Sequence, residues 1–547
     1  MGALPDGVTH HVPEDVEHYN VDVVVVGSGA GGLAAAVAAA HTGATVLVVE
    51  KAAGLGGTTA KSGGVIWVPD NHHQRARGIL DDRGQALAYM AAVSAPATYQ
   101  AEVPDLGLGA WEHSLHEAYI DRSPAVLLEL EQLGALRTTL EGTESFPDYH
   151  CELPEQAGIT GRALAPVGPD GVSAGNGQDI IDQLAAAARR LGVQILTRTA
   201  FADLLHNDGR VVGIRAEADT GPIEVQARRG VVLASGGFTH DARRRENHLP
   251  ARTWGGCAAG TNTGDILAPL EALGVPLHQM DCAWWDQVAI EHTLHGRTDT
   301  RAGVWVCPGD SSVLVDLDGR RVVNEKAVYN TRAKVHHGPD APEVLVLVMD
   351  QRCVDLFGNE SFAYPIADDD LAAPEHLVTG ATWDELVTCL ESRLSALELH
   401  LQARLGEGFA ANLAETIQRY DGYALAGRDP DFRRGEQPIE RFFSGPARPG
   451  SGPNPTMAPF AQDGPYHAVL LGLGTLDTKG GPRTTPAGQV LGADGSPVEG
   501  LYAVGNCAAS PSGQGYWAAG ATLGPALVFG VAAGRHACTS MTSFRPT

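Results

Sequence analysis

Residues 21–32 read VDVVVVGSGAGG, and the fold class can be inferred from this segment and its surroundings. The β-branched run at residues 21–26 is typical of a strand buried on both faces of a parallel sheet. Helix formers dominate residues 33–41, which predicts a helix. A second β-branched run at residues 45–49 closes with Glu50. Strand, glycine turn, helix and strand make a βαβ unit, which indicates an α/β fold.

The glycine turn has the spacing of a dinucleotide site. Gly27, Gly29 and Gly32 form GxGxxG between a predicted strand and a predicted helix. The first glycine permits the tight turn, the second lets the backbone approach a pyrophosphate, and the third packs helix on strand. Glu50 follows Gly32 by 18 residues, where a carboxylate can accept both ribose hydroxyls. These residues predict an ADP-containing cofactor and leave FAD and NAD open.

The next segment, GLGGTTAKSGG at residues 54–64, is suited to wrapping a second phosphate and a ring. It resembles the glycine-rich stretch of the flavoprotein superfamily that contains fumarate reductases and 3-ketosteroid dehydrogenases. GLYAVGN at residues 500–506 is similar to the strand that closes over FAD in that superfamily. The resemblance implies FAD. It also implies non-covalent binding, because Gly57 stands where the succinate dehydrogenase branch has its flavin-linked histidine.

The expected cofactor residues come from these segments, from the strand end at residues 231–237 and from the start of the last helix. They are Gly27, Ser28, Gly29, Ala30, Gly31, Gly32, Glu50, Lys51, Gly56, Gly57, Thr58, Thr59, Lys61, Ser62, Gly63, Gly64, Ser235, Gly236, Gly505, Asn506, Thr522 and Leu523. Most are glycines or small hydroxyl residues, which let a ligand approach the backbone closely.

The order of predicted elements indicates a discontinuous Rossmann-like FAD-binding domain, of the glutathione-reductase type, with an inserted α+β domain. We expect a flexible leader at residues 1–20, the first part of the FAD-binding domain at 21–279, the catalytic and substrate domain at 280–474, and the second part at 475–547. Separate strands are predicted at residues 223–227 and 231–237, and a helix at about residues 383–405.

Composition excludes several classes of function. The chain has 547 residues and a formal net charge of −26, which argues against nucleic acid as a partner. No two of its eight cysteines are closer than 25 residues, so a zinc ribbon and a disulfide scaffold are disfavoured. The pairs His72-His73 and His336-His337 lack acidic or cysteine partners at ligand spacing, so we expect no metal. Without a secretory signal or a spanning segment, we expect a cytoplasmic protein.

The C-terminal loop distinguishes a carboxylate site from a ketone site. A dicarboxylate needs arginine forks, yet residues 505–534 contain no Lys, Arg, Asp or Glu. Fumarate reductases place a proton-donating arginine five residues after an asparagine, and counting from Asn324 gives Tyr329. Arg332 lies nearby, so an arginine role stays open.

Three segments resemble the 3-ketosteroid Δ1-dehydrogenases. One is the segment around Tyr329, the second is FPDYH at residues 146–150, which contains Tyr149 and precedes a Gly-Arg pair, and the third is GQGYWAAGATLGPALVFG at residues 513–530. In the third segment, Tyr516 and Gly520 match the carbonyl-binding pair of that family. Trp517 and two alanines replace its Pro-Gly-Pro, from which we expect a bulkier loop and an altered substrate pocket.

The resemblance implies a reaction at the carbons α and β to a ketone. Tyr329 would take the α proton with help from Tyr149, while the Tyr516 hydroxyl and the Gly520 amide would hold the carbonyl oxygen. Flavin N5 would accept the hydride. The ordinary pKa of tyrosine is about 10, so a nearby donor or cation must outweigh the effect of burial.

The leading hypothesis is an FAD-dependent 3-ketosteroid 1,2-dehydrogenase with an apolar substrate and an unidentified external electron acceptor. A related enzyme acting on another cyclic ketone, or reducing an enone, is an alternative. A flavin electron carrier without turnover is an alternative from another class, and it predicts rapid flavin redox exchange without substrate.

Overall fold

The computed structural model describes residues 16–296, 303–357 and 376–539. Its strands are β1 (Glu17–Val26), β2 (Val46–Val49), β3 (Ile66–Trp67), β4 (Thr138–Thr139), β5 (Ala163–Pro166), β6 (Gln194–Leu196), β7 (Thr199–Asn207), β8 (Arg210–Ala218), β9 (Gly221–Leu233), β10 (Leu277–His278), β11 (Ala283–Ala289), β12 (Ser312–Val315), β13 (Leu345–Asp350), β14 (Val378–Gly380), β15 (Tyr466–Thr478), β16 (Gly481–Pro482), β17 (Gln489–Leu491) and β18 (Pro497–Ala503).

Helices lie between and around these strands. They are α1 (Ala30–His41), α2 (Gly57–Lys61), α3 (His72–Ala76), α4 (Arg83–Ser94), α5 (Ala110–Gln132), α6 (Gly177–Arg190), α7 (Ala242–His248), α8 (Leu267–Ala272), α9 (Ile290–Leu294), α10 (Tyr329–Ala333), α11 (Gln351–Phe357), α12 (Trp383–Ala396), α13 (Phe409–Ala426), α14 (Pro438–Ser444) and α15 (Leu523–Thr539). No helix in the described part of the chain is long and apolar enough to cross a membrane.

The larger sheet has eight strands, of which six follow the order β17-β18-β9-β1-β2-β6, with β8 beside β9 and β7 beside β8. Strand β1 pairs in parallel with β2 on one side and with β9 on the other. This confirms the predicted βαβ unit. Because β2 and β9 flank β1, the loops that leave the carboxyl ends of β1, β2, β9 and β18 meet at one edge, where α/β sheets bind ligands.

Helix α1 packs closely on α15 because glycines face it. A Cβ at Gly530 would lie 2.4 Å from the Gly31 carbonyl oxygen, and one at Gly534 would lie 2.1 Å from the Ala35 carbonyl oxygen. The two glycines are four residues apart and so share one face of α15. The final helix therefore fastens the C-terminal segment against the start of the dinucleotide motif.

Three predicted boundaries differ from the structure. Strand β1 begins at Glu17, inside the predicted leader, because residues 17–21 pair with the first part of β9. Strand β9 is continuous where two strands were predicted. Its pairing with β1 shifts register between Val21 and Val23, and this shift accommodates residues 228–230, which separated the two predicted strands. Helix α12 ends at Ala396 rather than near Leu405, although no helix-breaking residue precedes Gly406.

A five-stranded sheet, separate from the eight-stranded one, has the order β11-β15-β13-β12, with β14 also on β15. All of its strands lie between Ala283 and Thr478. Strand β15 crosses the predicted boundary at residue 474, since it begins in the expected insertion and ends in the expected second part of the FAD-binding domain. The domain boundaries themselves stay a prediction.

Candidate active site

A first cavity lies where the loops after β1, β2, β9 and β18 converge. Eighteen of the expected cofactor residues line it. They are Gly27, Ser28, Gly29, Ala30, Gly31, Glu50, Lys51, Gly56, Gly57, Thr58, Thr59, Ser62, Ser235, Gly236, Gly505, Asn506, Thr522 and Leu523. Gly32 does not line it, and Lys61, Gly63 and Gly64 line a second cavity instead.

The glycine turn is shaped for a close backbone approach. Gly27 has φ +99°, and a Cβ there would lie 2.4 Å from the Ala234 carbonyl oxygen. A Cβ at Gly32 would lie 2.1 Å from the Gly27 carbonyl oxygen, which places this glycine in packing rather than at the cavity surface. Gly29 caps α1 without a side chain, so N–H groups of the first helical turn face the cavity. Such a helix end favours a phosphate.

Glu50 lines the cavity but is already engaged with the protein. Its carboxylate accepts hydrogen bonds from the Ser28 amide at 3.0 Å, the Ser28 hydroxyl at 2.6 Å and the Ala52 amide at 2.8 Å. These contacts hold the loops after β1 and β2 together. The expected bonds to ribose hydroxyls stay a prediction.

Asp477 is a cofactor-cavity residue that sequence reasoning missed. Its carboxylate accepts hydrogen bonds from the Gly237 amide at 3.0 Å, the Asn262 amide group at 2.8 Å and the Asn506 amide group at 3.0 Å. Burial raises the pKa of Asp477, and these hydrogen bonds oppose the rise. Asp477 thereby joins three loops that are far apart in sequence. The one signal that could have identified Asp477 as a cavity residue was its place in DTKGG, residues 477–481.

A second cavity of about 480 Å³ adjoins the first, and both are lined by Thr58, Ser62, Leu476, Thr522 and Leu523. Its volume is within the range of ligand pockets. Aromatic side chains form much of its wall, including Phe146, Phe442 and Phe443. The ring centroid of Phe146 lies 4.5 Å from that of Phe442 and 5.7 Å from that of Phe443.

The structure brings the three expected catalytic tyrosines together in the second cavity. The hydroxyls of Tyr149 and Tyr329 are 2.8 Å apart, and either can donate. The ring centroid of Tyr516 lies 5.1 Å from that of Tyr149 and 5.7 Å from that of Tyr329. All three side chains are buried. Residues separated by 180 and more positions therefore present their hydroxyls to one apolar space.

Burial determines the acidity of these tyrosines. It raises the pKa of Tyr149 and of Tyr329 well above the ordinary value of 10.0. The pKa of Tyr516 rises to about 12 for the same reason, with Tyr329 and Thr522 partly offsetting the effect. The expectation that a donor or cation outweighs burial is therefore wrong for the described protein groups. At neutral pH the protein alone holds the three hydroxyls protonated.

A buried ion-pair network joins the segment that contains Tyr149 to the Gly161-Arg162 pair. Arg162 donates to Asp148 at 2.7 Å and, through two nitrogens, to Asp81 at 2.6 and 2.7 Å. Asp148 also accepts from the Trp67 indole at 2.7 Å. Because Asp148 precedes Tyr149 in the chain, this network fixes the backbone that presents the Tyr149 hydroxyl.

The loop at residues 516–520 holds its tryptophan away from the second cavity, and the expected alteration of the substrate pocket stays a prediction. Trp517 is buried in the core, its ring 5.6 Å from that of Trp67, and it does not line the second cavity. The carbonyl of Trp517 instead accepts from the Tyr149 amide at 3.0 Å. The bulk of this tryptophan therefore does not narrow the pocket; it supports the backbone beside Tyr149.

Gly520 lines the second cavity, as expected. It has φ +88°, and a Cβ there would lie 2.6 Å from the Trp67 amide nitrogen. Its carbonyl accepts from the Trp67 and Gly524 amides, while its own N–H donates to no group within the described ranges. The amide is therefore available to an acceptor in the cavity.

Several other expected side chains lie outside this centre. Arg332 is fully buried and donates to the Gln287 side chain at 2.7 Å and to backbone carbonyls, so it supports the fold below the cavity. Trp284 lines the first cavity and donates to the Asn506 side chain at 3.0 Å. His150 and Trp285 line neither cavity.

The histidine pair His72-His73 has a carboxylate neighbour, Glu131, that is distant from it in the sequence. The nearest ligand atoms of His72 and Glu131 are 3.0 Å apart, and those of His73 and Glu131 are 3.8 Å apart. One ligand atom from each residue lies within 4.8 Å of the others. The stated reason against a metal at this pair is therefore wrong, because α5 supplies the missing carboxylate.

A family profile described as an FAD binding domain matches residues 22–523. The chain belongs to this FAD binding domain family. Curated relatives that span nearly the whole chain, and a solved structure with the same fold, place it more closely among the 3-ketosteroid Δ1-dehydrogenases. The resemblance inferred from its motifs is confirmed, as are the flavoprotein fold and the FAD cofactor.

Two curated relatives illustrate the range of the group. The chain is 32% identical to the 4-oxocyclohexanecarboxylate 2-dehydrogenase of Sinomonas cyclohexanicum, over 94% of this chain and 92% of the relative. It is 30% identical to the 3-oxosteroid 1-dehydrogenase of Mycolicibacterium smegmatis, over 93% of this chain and 95% of the relative. This flavoprotein is therefore an oxidoreductase of the 3-ketosteroid or related cyclic-ketone dehydrogenase type.

A solved structure shows the same architecture. The 3-ketosteroid Δ1-dehydrogenase of Sterolibacterium denitrificans, determined with 1,4-androstadiene-3,17-dione, aligns with a TM-score of 0.77 and 25% identity. The alignment covers 95% of this chain and 100% of that chain. The first cavity fits FAD on its own geometry, since the glycine cradle and the start of α1, whose N-cap Gly29 provides no capping side chain, suit a pyrophosphate.

Proposed function

We propose that this flavoprotein removes hydrogens from the carbons α and β to the ketone of an apolar cyclic substrate, with 3-ketosteroid 1,2-dehydrogenation as the leading reaction. The observation that carries the proposal is the meeting of three buried tyrosine hydroxyls in an apolar cavity that adjoins the FAD cavity. The relatives named for oxosteroids and for oxocyclohexane rings have a cyclic ketone in common. This common group supports the bond between the carbons α and β to the ketone as the site of reaction.

Each residue has a role that follows from its position in the cavity. Tyr516 and the Gly520 amide hold the ketone oxygen and stabilise the negative charge that develops there as the α proton leaves. Tyr329 accepts the α proton in its deprotonated form, and the Tyr149 hydroxyl, 2.8 Å away, donates a hydrogen bond that stabilises this form. Bound FAD supplies the hydride acceptor for the β carbon. The aromatic walls exclude water from the cavity, and this prevents side reactions with water.

We also propose that FAD is bound without a covalent link. Gly57 and Thr58 line the cofactor cavity where a linking histidine would be needed, and no histidine lines that cavity within the described residues. Denaturation should release unmodified flavin into solution. Flavin that stays with the precipitated chain would contradict this part of the proposal.

The test is a single turnover without oxygen. Purified flavoprotein is mixed with androst-4-ene-3,17-dione while the oxidised flavin band is followed, and the product is identified by mass spectrometry. Bleaching with formation of the 1,4-diene is the expected result. An intact flavin band with this ketone and with simple cyclohexanones would contradict the proposal, and rapid flavin exchange with redox dyes without any ketone would favour a carrier.

A further inference from the structure

Lys479 is a fully buried lysine that lines neither cavity. It directly follows β15, inside the DTKGG segment at residues 477–481. Burial lowers the pKa of its amine well below the ordinary value of 10.5. An amine costs free energy to bury unless its N–H groups find acceptors, so the partners of this amine indicate what it supports.

The Lys479 amine holds the backbone that leads into Tyr516. Its Nζ donates to the Ser512 hydroxyl at 2.9 Å and to the Gly515 carbonyl oxygen at 2.8 Å. The Gly515 carbonyl and the Tyr516 amide belong to one planar peptide unit, so the bond to this carbonyl fixes the plane from which the Tyr516 side chain departs. The two bonds need only two N–H groups, which the amine has whether or not it is protonated.

The same amine contacts the aromatic neighbour of Tyr516. The Lys479 Nζ lies over the Trp284 ring, 3.7 Å from its centroid. The Trp284 centroid lies in turn 4.6 Å from that of Tyr516, with an angle of 55° between the two rings. The Trp284 indole also donates to the Asn506 side chain at 3.0 Å, which holds the ring in place. One amine therefore supports Tyr516 both through its backbone and through the ring beside it.

The main chain of Lys479 is anchored on both sides. Its N–H donates to the Cys282 carbonyl oxygen at 3.1 Å, and its own carbonyl accepts from the Ser510 amide at 3.1 Å. Lys479 thus joins the segment that begins β11 to the loop at residues 510–516. Because these backbone bonds do not involve the amine, a substitution of the side chain releases the loop at residues 512–516 and leaves the anchor in place.

We propose that Lys479 is a positioning residue for Tyr516, which sets the place of the hydroxyl that holds the ketone oxygen. The inference rests on the proposed dehydrogenation and adds to it a residue outside both cavities. A hydroxyl that stabilises developing charge must be placed accurately, so a loosened Tyr516 loses rate although its hydroxyl is still present.

The substitution Lys479→Met tests this role in the flavin-loaded enzyme. Methionine fills much of the same space and removes both hydrogen bonds. Flavin reduction by saturating androst-4-ene-3,17-dione should slow by about tenfold to a hundredfold, with the flavin content of the wild type. In the Tyr516→Phe background the same substitution should slow reduction by less than about twofold, because the hydroxyl that Lys479 positions is already absent. Equal losses in both backgrounds, or a wild-type rate in Lys479→Met, would overturn the proposal.

A milder variant, Ser512→Ala, removes one of the two bonds and keeps the amine. It should slow reduction by about twofold to fivefold when Tyr516 is present, and have no effect in Tyr516→Phe. This variant decides the question if Lys479→Met yields no holoenzyme. No loss in either background, or a loss that persists in Tyr516→Phe, would then overturn the proposal.

The matched control is Lys326→Met. Lys326 is also buried, but its Nζ donates to the Cys307 carbonyl oxygen rather than to the loop before Tyr516. Any loss of rate in Lys326→Met should therefore be the same with and without the Tyr516 hydroxyl. If this loss also disappeared in Tyr516→Phe, the coupling would not be specific to Lys479 and the proposal would fail.

The outcomes also distinguish this inference from the proposed function. If the ketone bleaches the wild-type flavin and the losses are equal in the two backgrounds, the positioning role fails and dehydrogenation stands. If no cyclic ketone bleaches the wild-type flavin, the proposed function fails, and the inference that rests on it fails with it.

Discussion

The cofactor cavity and the substrate cavity adjoin each other, yet they are built from different parts of the polypeptide. Backbone loops at the ends of parallel strands form the cofactor cavity, and glycines give it its shape. Side chains from distant segments form the substrate cavity, and Tyr149, Tyr329 and Tyr516 are part of its wall. Changes to the first should therefore remove FAD, whereas changes to the second should stop turnover and leave FAD bound.

The largest effect is expected from Gly27→Ala. A Cβ at this left-handed position would lie 2.4 Å from the Ala234 carbonyl oxygen, so the loop must move out of its FAD-binding shape. We expect soluble protein with little flavin and no activity, measured as the flavin-to-protein absorbance ratio. Gly54→Ala is the matched control, because its Cβ meets nothing within 4 Å. Equal flavin content in both variants would break the comparison.

Tyr329→Phe tests the other cavity. Removing the base should slow flavin bleaching by about 10²- to 10⁴-fold, because positioned proton transfer contributes that much. The flavin content should equal that of the wild type, since Tyr329 does not line the cofactor cavity. A wild-type bleaching rate would remove Tyr329 from the mechanism, and loss of FAD would show that the two cavities are not separable in this way.

Tyr516→Phe should have a smaller effect of the same kind. It removes one donor to the carbonyl oxygen and leaves the Gly520 amide, so we expect a loss of about 10²-fold in kcat with FAD retained. Stopped-flow reduction at saturating ketone measures this loss. A rise in KM alone, with kcat unchanged, would indicate that Tyr516 only binds the ground state.

A change of a single pH unit is expected to have the smallest effect. The pKa values of Tyr149 and Tyr329 are raised, so both hydroxyls are protonated at neutral pH and the active basic form becomes more abundant as pH rises. The kcat/KM should increase up to about tenfold per pH unit between about pH 6 and pH 10. The slope should be absent in Tyr329→Phe. A rate that falls with rising pH would contradict Tyr329 as the base.

Local signals in the sequence predicted the cofactor site and much of its sheet. Residues 21–50 contain strand, turn, helix and strand in sequence order, so each element could be inferred from its neighbours. Asp477 and Asn262 were missed because tertiary packing, rather than spacing, brings them together at 2.8 Å. The contact between Glu131 and His72 was missed for the same reason.

The substrate cavity was predicted through family resemblance rather than through periodicity. Its tyrosines have no common spacing, so nothing in the residues alone says that they meet. The direction of Trp517 could not be predicted either, because packing against Trp67 decides which side of the loop its ring occupies. Lys61, the last residue of α2, lines the second cavity rather than the first, and its assignment to FAD stays a prediction.

In the proposed reaction two hydrogens leave adjacent carbons, one as a proton to Tyr329 and one as a hydride to the flavin. The most direct test is the rate of anaerobic flavin bleaching with androst-4-ene-3,17-dione deuterated at carbons 1 and 2, compared with the same ketone deuterated only at a remote carbon. We expect slower bleaching with deuterium at carbons 1 and 2, a product that has lost one hydrogen from each, and no change with remote deuterium. Equal rates for both ketones, with both deuterium labels retained in full at carbons 1 and 2, would contradict it.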